Sequence, residues 1–156
     1  MTVSVILLQL AAVGWGVLCG GVVYEHLAVV PQWASQPPAS LAMWSGPFRV
    51  KAERFWMGIH PTLILLLAAA VATGWNGAAR NPLIFVLVAY LVVLGVTAAW
   101  FVPELMRLTK DPNASIPPNE WRMRARRWER CSIVRGALLV GLAWPLFGAL
   151  ACSASN

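Results

Sequence analysis

The chain has 156 residues, of which 59% are hydrophobic and only 12% are charged. Soluble domains carry about 25% charged residues, so the composition indicates a membrane protein, and the length allows one domain. The net charge of +6 does not indicate nucleic-acid binding, because the basic residues lie in loops beside apolar runs, where they orient membrane proteins.

The first predicted helix covers residues 3–30. A bilayer is crossed by about 20 apolar residues, so this helix should tilt or overhang the hydrocarbon core. Pro31 is expected to end it, because the residue before a proline is pushed out of the α region. The loop that follows, Gln32 to Arg54, is long for a helical hairpin, and a loop of that length often covers a site.

Glycines form two stripes on this first helix. Gly14 and Gly21 lie seven residues apart and share a stripe with Glu25, which predicts that Glu25 faces a packed neighbour. Gly16 and Gly20 form a small-xxx-small face that lets another helix approach closely.

Three more apolar runs follow, and we predict helices over residues 55–75, 82–103 and 120–152. Pro103 should close the third, and Trp144-Pro145 should kink the fourth. The chain is therefore predicted to be all-α, a single transmembrane domain over residues 1–156. Its architecture would be an integral membrane up-down four-helix bundle, with a long loop after helix 1 and a basic loop before helix 4.

Basic residues are distributed asymmetrically. Of the 12 Lys and Arg, only Arg80 lies between runs two and three, and the other 11 lie in or beside the two loops of the opposite face. The positive-inside rule makes those two loops cytoplasmic and places both termini outside. A bacterial inner membrane is the expected location.

Ionisable residues converge at that cytoplasmic end if the four helices run up and down. Intramembrane ionisable residues are candidates for function. The predicted catalytic residues are Glu25, His60, Glu104 and Arg135. Residues predicted to contact substrate are Tyr24, Asn119, Trp128 and Arg130, although Tyr24 and the tryptophans also fit an interfacial or packing role.

The residue types of this cluster fit three kinds of chemistry. His26, His60, Glu25 and Glu104 could ligate a metal, either copper, iron or zinc. The two histidines could instead ligate haem axially. Without a cofactor, a buried Glu or His could abstract an acidic proton while Arg135 stabilises the resulting enolate. A purely structural alternative remains for each residue, such as an ion pair of Glu25 with Arg135 or Arg130, or of Glu104 with Arg107 or Arg130.

A resemblance to a known family rests on an ordered set of short motifs. They are Val30-Pro31 after span one, Gly58-Ile59-His60-Pro61 in span two, Val102-Pro103-Glu104 with Leu105-Met106-Arg107-Leu108 after span three, and Trp128 with Arg135 in span four. Together they resemble the anthrone-oxygenase-like family of small four-helix membrane proteins. The spacing of Gly58 and His60, Glu104 in place of Pro-x-Asn, and Ser132 in place of Asn or His depart from that family. A fainter resemblance, through Glu53-Arg54 and Pro61, is to a haem-bearing protoporphyrinogen oxidase family.

The resemblance implies a membrane-embedded oxidoreductase, an oxygenase that acts on a small hydrophobic aromatic or polyketide-like substrate. Its pocket would lie at the cytoplasmic end of the bundle. The alternative from another class is a non-catalytic membrane subunit that binds a partner, lipid or haem. Membrane lipid is an expected partner and nucleic acid is not, and a homo-oligomer through the fourth helix stays open.

Overall fold

The computed structural model describes residues 2–109 and 116–154, and the regular structure of that part is entirely helical. Four long helices form it: α1 (Val3–Ser35), α2 (Ala52–Thr73), α3 (Arg80–Thr109) and α4 (Pro118–Ser153). By length and composition, all four are long and apolar enough to cross a membrane. The prediction of an all-α chain with four such helices is confirmed.

The helices pack as neighbours in chain order. Helix α1 lies beside α2 and α4, and α3 lies beside the same two helices. This is the arrangement of an up-down bundle, with α1 and α3 on one diagonal.

Two separate hydrophobic cores lie along the bundle. The first joins all four helices and includes Trp15, Leu63, Tyr90 and Leu139. The second is rich in tryptophan and is built from the ends of α1, α3 and α4, with residues such as Trp33, Phe101, Trp121 and Trp128. Helices α1, α3 and α4 have 33, 30 and 36 residues, more than the about 20 that a bilayer requires. Their extra turns form the second core.

The short helix α2 does not reach the second core. A 3-10 helix, Ala39–Trp44, contributes Leu41 there instead. Because α1 continues to Ser35 and α2 begins at Ala52, the connection is shorter than the predicted loop Gln32 to Arg54. Leu41 is the buried residue of this 3-10 helix, and most of the rest of the connection is exposed.

The two prolines expected to end helices lie inside them. Helix α1 continues through Pro31 to Ser35, and α3 continues through Pro103 to Thr109. A five-residue π-helical turn precedes each proline, Glu25–Val29 in α1 and Thr97–Phe101 in α3. The N–H groups of Val30 and Val102 bond to the carbonyls five residues earlier. This wider turn accommodates the proline, which an α-helical turn would place against the carbonyl four residues before it.

Helix α4 is interrupted at Leu142, between the α-helical segments Pro118–Gly141 and Ala143–Ala154. The interruption lies just before Trp144-Pro145, where the sequence predicts a kink. Most of the basic residues before run four lie on the first α-helical segment of α4. The middle of the predicted basic loop, residues 110–115, lies outside the described residues.

The two glycine stripes of α1 have different surroundings. A Cβ on Gly14 would lie 2.9 Å from Leu63 Cδ2, and one on Gly21 would lie 2.5 Å from the Phe55 ring. Both glycines therefore allow α2 to approach closely, and the stripe that they share with Glu25 faces a packed neighbour, as predicted. A Cβ on Gly16 or Gly20 would meet nothing within 4 Å, so the prediction that this second stripe lets another helix approach closely is wrong for the described residues.

Candidate functional site

A layer of polar side chains lies between the two cores. We define the polar layer as Glu25 and His26 from α1, His60 from α2, and Ser132 and Arg135 from α4. In α1 and α4 these residues lie between those of the first core and those of the second, whereas His60 lies at the edge of the first core, near the start of α2. Each π-helical turn lies where the first-core residues of its helix give way to those of the second core. Single π turns inside α-helices are frequent at functional sites, so this layer is the candidate site.

His26 has one nitrogen bound and one free. Its Nδ1 lies 2.8 Å from the carbonyl oxygen of Val22. A carbonyl only accepts hydrogen bonds, so Nδ1 carries the proton and Nε2 presents a lone pair. That Nε2 is buried and has no hydrogen-bond partner among the described residues. A buried acceptor without a partner is costly, which makes His26 Nε2 the strongest ligand-binding atom of the layer.

Arg135 lies at the centre of the layer. Its guanidinium donates to Ser132 Oγ at 2.9 Å and lies 4.4 Å from the centre of the Phe101 ring. It acts electrostatically on both Glu25 and His60. Within residues 2–109 and 116–154, however, Glu25 forms no ion pair with Arg135 or Arg130, the structural alternative considered from the sequence.

His60 lies in an aromatic stack that reaches into the first core. Its Nδ1 is 2.7 Å from the hydroxyl oxygen of Tyr90, and its ring stacks on Trp56 with centroids 5.5 Å apart. Tyr90 packs edge-on against Trp15 at 4.9 Å. Trp15 in turn donates to the carbonyl of Leu139 at 3.0 Å. These contacts link α2, α3, α1 and α4 and fix the orientation of the imidazole.

Glu104 does not join the polar layer. Both of its carboxylate oxygens accept hydrogen bonds from Arg124, each at 2.7 Å, and Arg107 lies 3.9 Å away. Glu120 extends this ion cluster through Arg124. A bidentate pair of this kind is a strong positional restraint, so Glu104 ties α3 to α4 next to the second core. Of the two partners considered from the sequence, Arg107 is present in this cluster and Arg130 is not, and the closest partner, Arg124, was not predicted.

The residues predicted to contact substrate are scattered. Tyr24 is 65% exposed on the outside of the bundle, away from the layer. Trp128 is buried in the second core and donates to the carbonyl of Phe101 at 3.0 Å. Asn119 and Arg130 both line an exposed groove on α4. The structure therefore brings Glu25, His26, His60 and Arg135 together. It leaves outside the layer the four residues predicted to contact substrate, and Glu104 as well.

Three side chains of the site were not predicted. Tyr90 holds His60, Trp56 stacks on it, and Phe101 lies under Arg135. The sequence signal for Tyr90 was a phenol in the middle of an apolar run, where the hydroxyl needs a partner. Trp56 lies four residues before His60 and so on the same helix face.

The predicted metal ligands do not form a cluster. In the part of the chain that the structure describes, no three His, Cys, Asp or Glu side chains come together in the manner of a metal site. Glu104 is paired with Arg124, and His60 Nδ1 is engaged by Tyr90. The arrangement gives no support to the predicted metal site and fits a base and a cation held near each other.

The fold and the layer together define an all-helical bundle of four long apolar helices with a polar site between two cores. No family model, no curated protein and no solved structure matches this chain. The comparisons therefore assign it to no family.

Proposed function

We propose that the chain is an integral membrane protein with its arginine-rich end in the cytoplasm, in a bacterial inner membrane. Its outward faces are apolar: Val13, Leu65 and Val92 are 68%, 70% and 61% exposed. Apolar surface of this extent is unfavourable in water and is expected where lipid covers the protein. The positions of 11 of the 12 Lys and Arg support the orientation.

Within that frame, we propose that the polar layer binds and oxidises a small, flat, hydrophobic aromatic molecule that partitions from the membrane. The observation that carries this proposal is the Nε2 of His26, which is buried and has no hydrogen-bond partner in the described part of the chain. It lies next to Glu25 and beside Gly136, the neighbour of Arg135. A substrate with an acidic O–H or C–H would supply the missing donor.

The chemistry that these groups support is proton abstraction followed by oxygenation. His26 Nε2 takes the proton, and the Arg135 guanidinium stabilises the resulting enolate. Dioxygen is the oxidant: it takes electrons from the carbanion and forms a peroxide at that carbon. Loss of water then leaves a ketone, so that CH₂ and O₂ become C=O and H₂O. This is the anthrone-to-quinone reaction that the family resemblance implies.

A test uses the purified protein in detergent with an anthrone as the probe. Oxygen uptake and the visible absorbance of the quinone product are followed for the wild type, His26→Gln and the exposed control Tyr24→Phe. Removal of a general base costs about 10²- to 10⁴-fold in rate. We expect that loss for His26→Gln, at an unchanged melting temperature, and no loss for the control.

Two results would overturn the proposal. One is a wild type that neither binds nor turns over the probe, and the other is a His26→Gln variant that keeps the full rate. A lower melting temperature of His26→Gln, without any effect on ligand binding, would favour the alternative, a non-catalytic membrane subunit. Elemental analysis and a visible absorption spectrum of the same sample test for copper, iron and haem.

A further inference from the structure

An exposed groove runs along the first half of α4 and reaches the edge of the second core at Arg127 and Cys131. Its lining residues all belong to α4: Asn119, Arg122, Met123, Arg126, Arg127, Arg130 and Cys131. Because one helix supplies the whole lining, the groove is open to the outside, with a volume of about 640 Å³. It places four guanidinium groups beside the apolar side chains of Met123 and Cys131.

The four arginines of this groove form no ion pair within the described residues, although the Glu104 carboxylate interacts electrostatically with Arg127. Arg124, which lies outside the groove, binds Glu104 and Glu120. Arg127 lies 5.7 Å from the centre of the Trp100 ring, which holds its guanidinium in place. Glu129, the carboxylate nearest in sequence, is half-buried and pairs with none of them. A concentrated positive charge of this kind attracts an anion.

The position of the arginines along the helix indicates which kind of anion they bind. The apolar part of α4 begins at Cys131. At 1.5 Å per residue, Arg130, Arg127 and Arg126 lie within about 8 Å of that start, whereas Arg122 lies about 14 Å beyond it. The headgroup layer of a bilayer is about 5–8 Å thick on each side. The first three arginines therefore lie at the level of lipid phosphates if α4 crosses the membrane.

We propose that this groove binds the phosphate group of an anionic phospholipid of the cytoplasmic leaflet. Arg126, Arg127 and Arg130 hold the phosphate through charge-assisted hydrogen bonds, and Met123 and Cys131 contact the glycerol and the first acyl carbons. The proposal rests on the membrane insertion proposed above but not on the oxygenase chemistry.

The experiment measures lipid retention by native mass spectrometry after extraction from vesicles of phosphatidylglycerol and phosphatidylcholine. The groove variant is Arg126→Gln/Arg127→Gln. The matched control is Arg49→Gln/Arg54→Gln, which removes two charges at the same end, one of them from an exposed ion pair with Glu53. We expect the wild type and the control to retain phosphatidylglycerol in preference to phosphatidylcholine. In the groove variant, the ratio of retained phosphatidylglycerol to phosphatidylcholine should fall at least about tenfold.

The outcomes separate this proposal from its alternatives. An equal loss in both double variants would show that net charge, and not the groove, selects the lipid. Displacement of the retained lipid by millimolar inorganic phosphate would identify the occupant as a free anion. Carbonate extraction of the membranes distinguishes the two proposals: a chain that resists extraction but shows no lipid preference overturns only the groove, whereas a chain released by carbonate overturns membrane insertion itself.

Discussion

At the scale of single residues, the two histidines differ in what their Nδ1 atoms contact. The carbonyl that His26 bonds fixes its tautomer and leaves Nε2 as a buried acceptor. The phenol that His60 contacts both donates and accepts, so it restrains the ring without fixing the proton. His26 is therefore the better base, and His60 orients the layer. The sequence predicted a cluster containing both, but favoured His60, because hydrogen-bond partners such as Tyr90 become visible only in the fold.

Tyr90→Phe tests the hydrogen bond that orients His60. The variant removes the hydroxyl and leaves His60 Nδ1 without its partner. We expect a loss of about 1 kcal/mol of stability, the usual net value of one hydrogen bond, measured by thermal unfolding in detergent. Tyr24→Phe is the matched control, because Tyr24 is exposed and its hydroxyl forms no hydrogen bond with the described residues. It should change stability by less than about 0.5 kcal/mol. Equal effects of the two changes would contradict the role given to the His60–Tyr90 bond.

Glu104→Gln tests whether this carboxylate is a structural tie. The Glu104 side chain is only 12% exposed and binds Arg124 through both oxygens, so its neutralisation should cost about 1–3 kcal/mol. Glu53→Gln breaks the exposed Arg49 pair and should cost at most about 1 kcal/mol. Chemical unfolding of both variants measures the difference. A small and equal loss of stability in the two variants would contradict the structural role of Glu104.

At the scale of elements, the apolar runs predicted the four helices but not their ends. The rule that a proline ends a helix considers only the residues next to it. Here Pro31 and Pro103 each follow a π-helical turn of five residues, which widens the helix just before the proline. Such turns depend on how the whole helix packs, so the residue pattern did not predict them. The Gly14 and Gly21 stripe was predictable because spacing alone decides which residues share a helix face.

Gly136→Ala tests the close approach of α4 to α1. A Cβ at this position would lie 2.8 Å from Cγ1 of the buried Val22, a β-branched side chain with little freedom to move. Overpacking of this kind costs about 1–3 kcal/mol. Gly95→Ala is the control, since a Cβ there meets nothing within 4 Å, and it should be neutral or stabilise by about 0.5–1 kcal/mol. If the two variants melt at the same temperature, the helices can move apart at Gly136 at little cost in stability.

At the scale of the whole molecule, the polar layer has an apolar core on each side. The sequence predicted that Glu25, His26, His60 and Arg135 meet at one end of the bundle. It did not predict the second core, because tryptophans beside a membrane are typical of interfacial residues. Trp121 and Trp128 instead donate to backbone carbonyls of α3 and bury their rings. Glu25, His26, His60 and Arg135 are half-buried between the helices. Their partial exposure on the side of the bundle is consistent with the lateral entry of a hydrophobic substrate that we propose.

The proposed topology predicts which loops face the cytoplasm. Phe48, in the α1–α2 connection, is 98% exposed, and Asn76 lies in the exposed turn between α2 and α3. With the three native cysteines replaced by serine, Phe48→Cys and Asn76→Cys each carry one thiol for a membrane-impermeant maleimide. In right-side-out vesicles, the positive-inside rule predicts that Asn76→Cys is labelled and that Phe48→Cys is labelled only after the vesicles are opened. Labelling of both thiols in intact vesicles would mean that α2 does not cross the membrane. The reversed pattern would place the arginine-rich end outside, and the lipid site of α4 would then face the wrong leaflet.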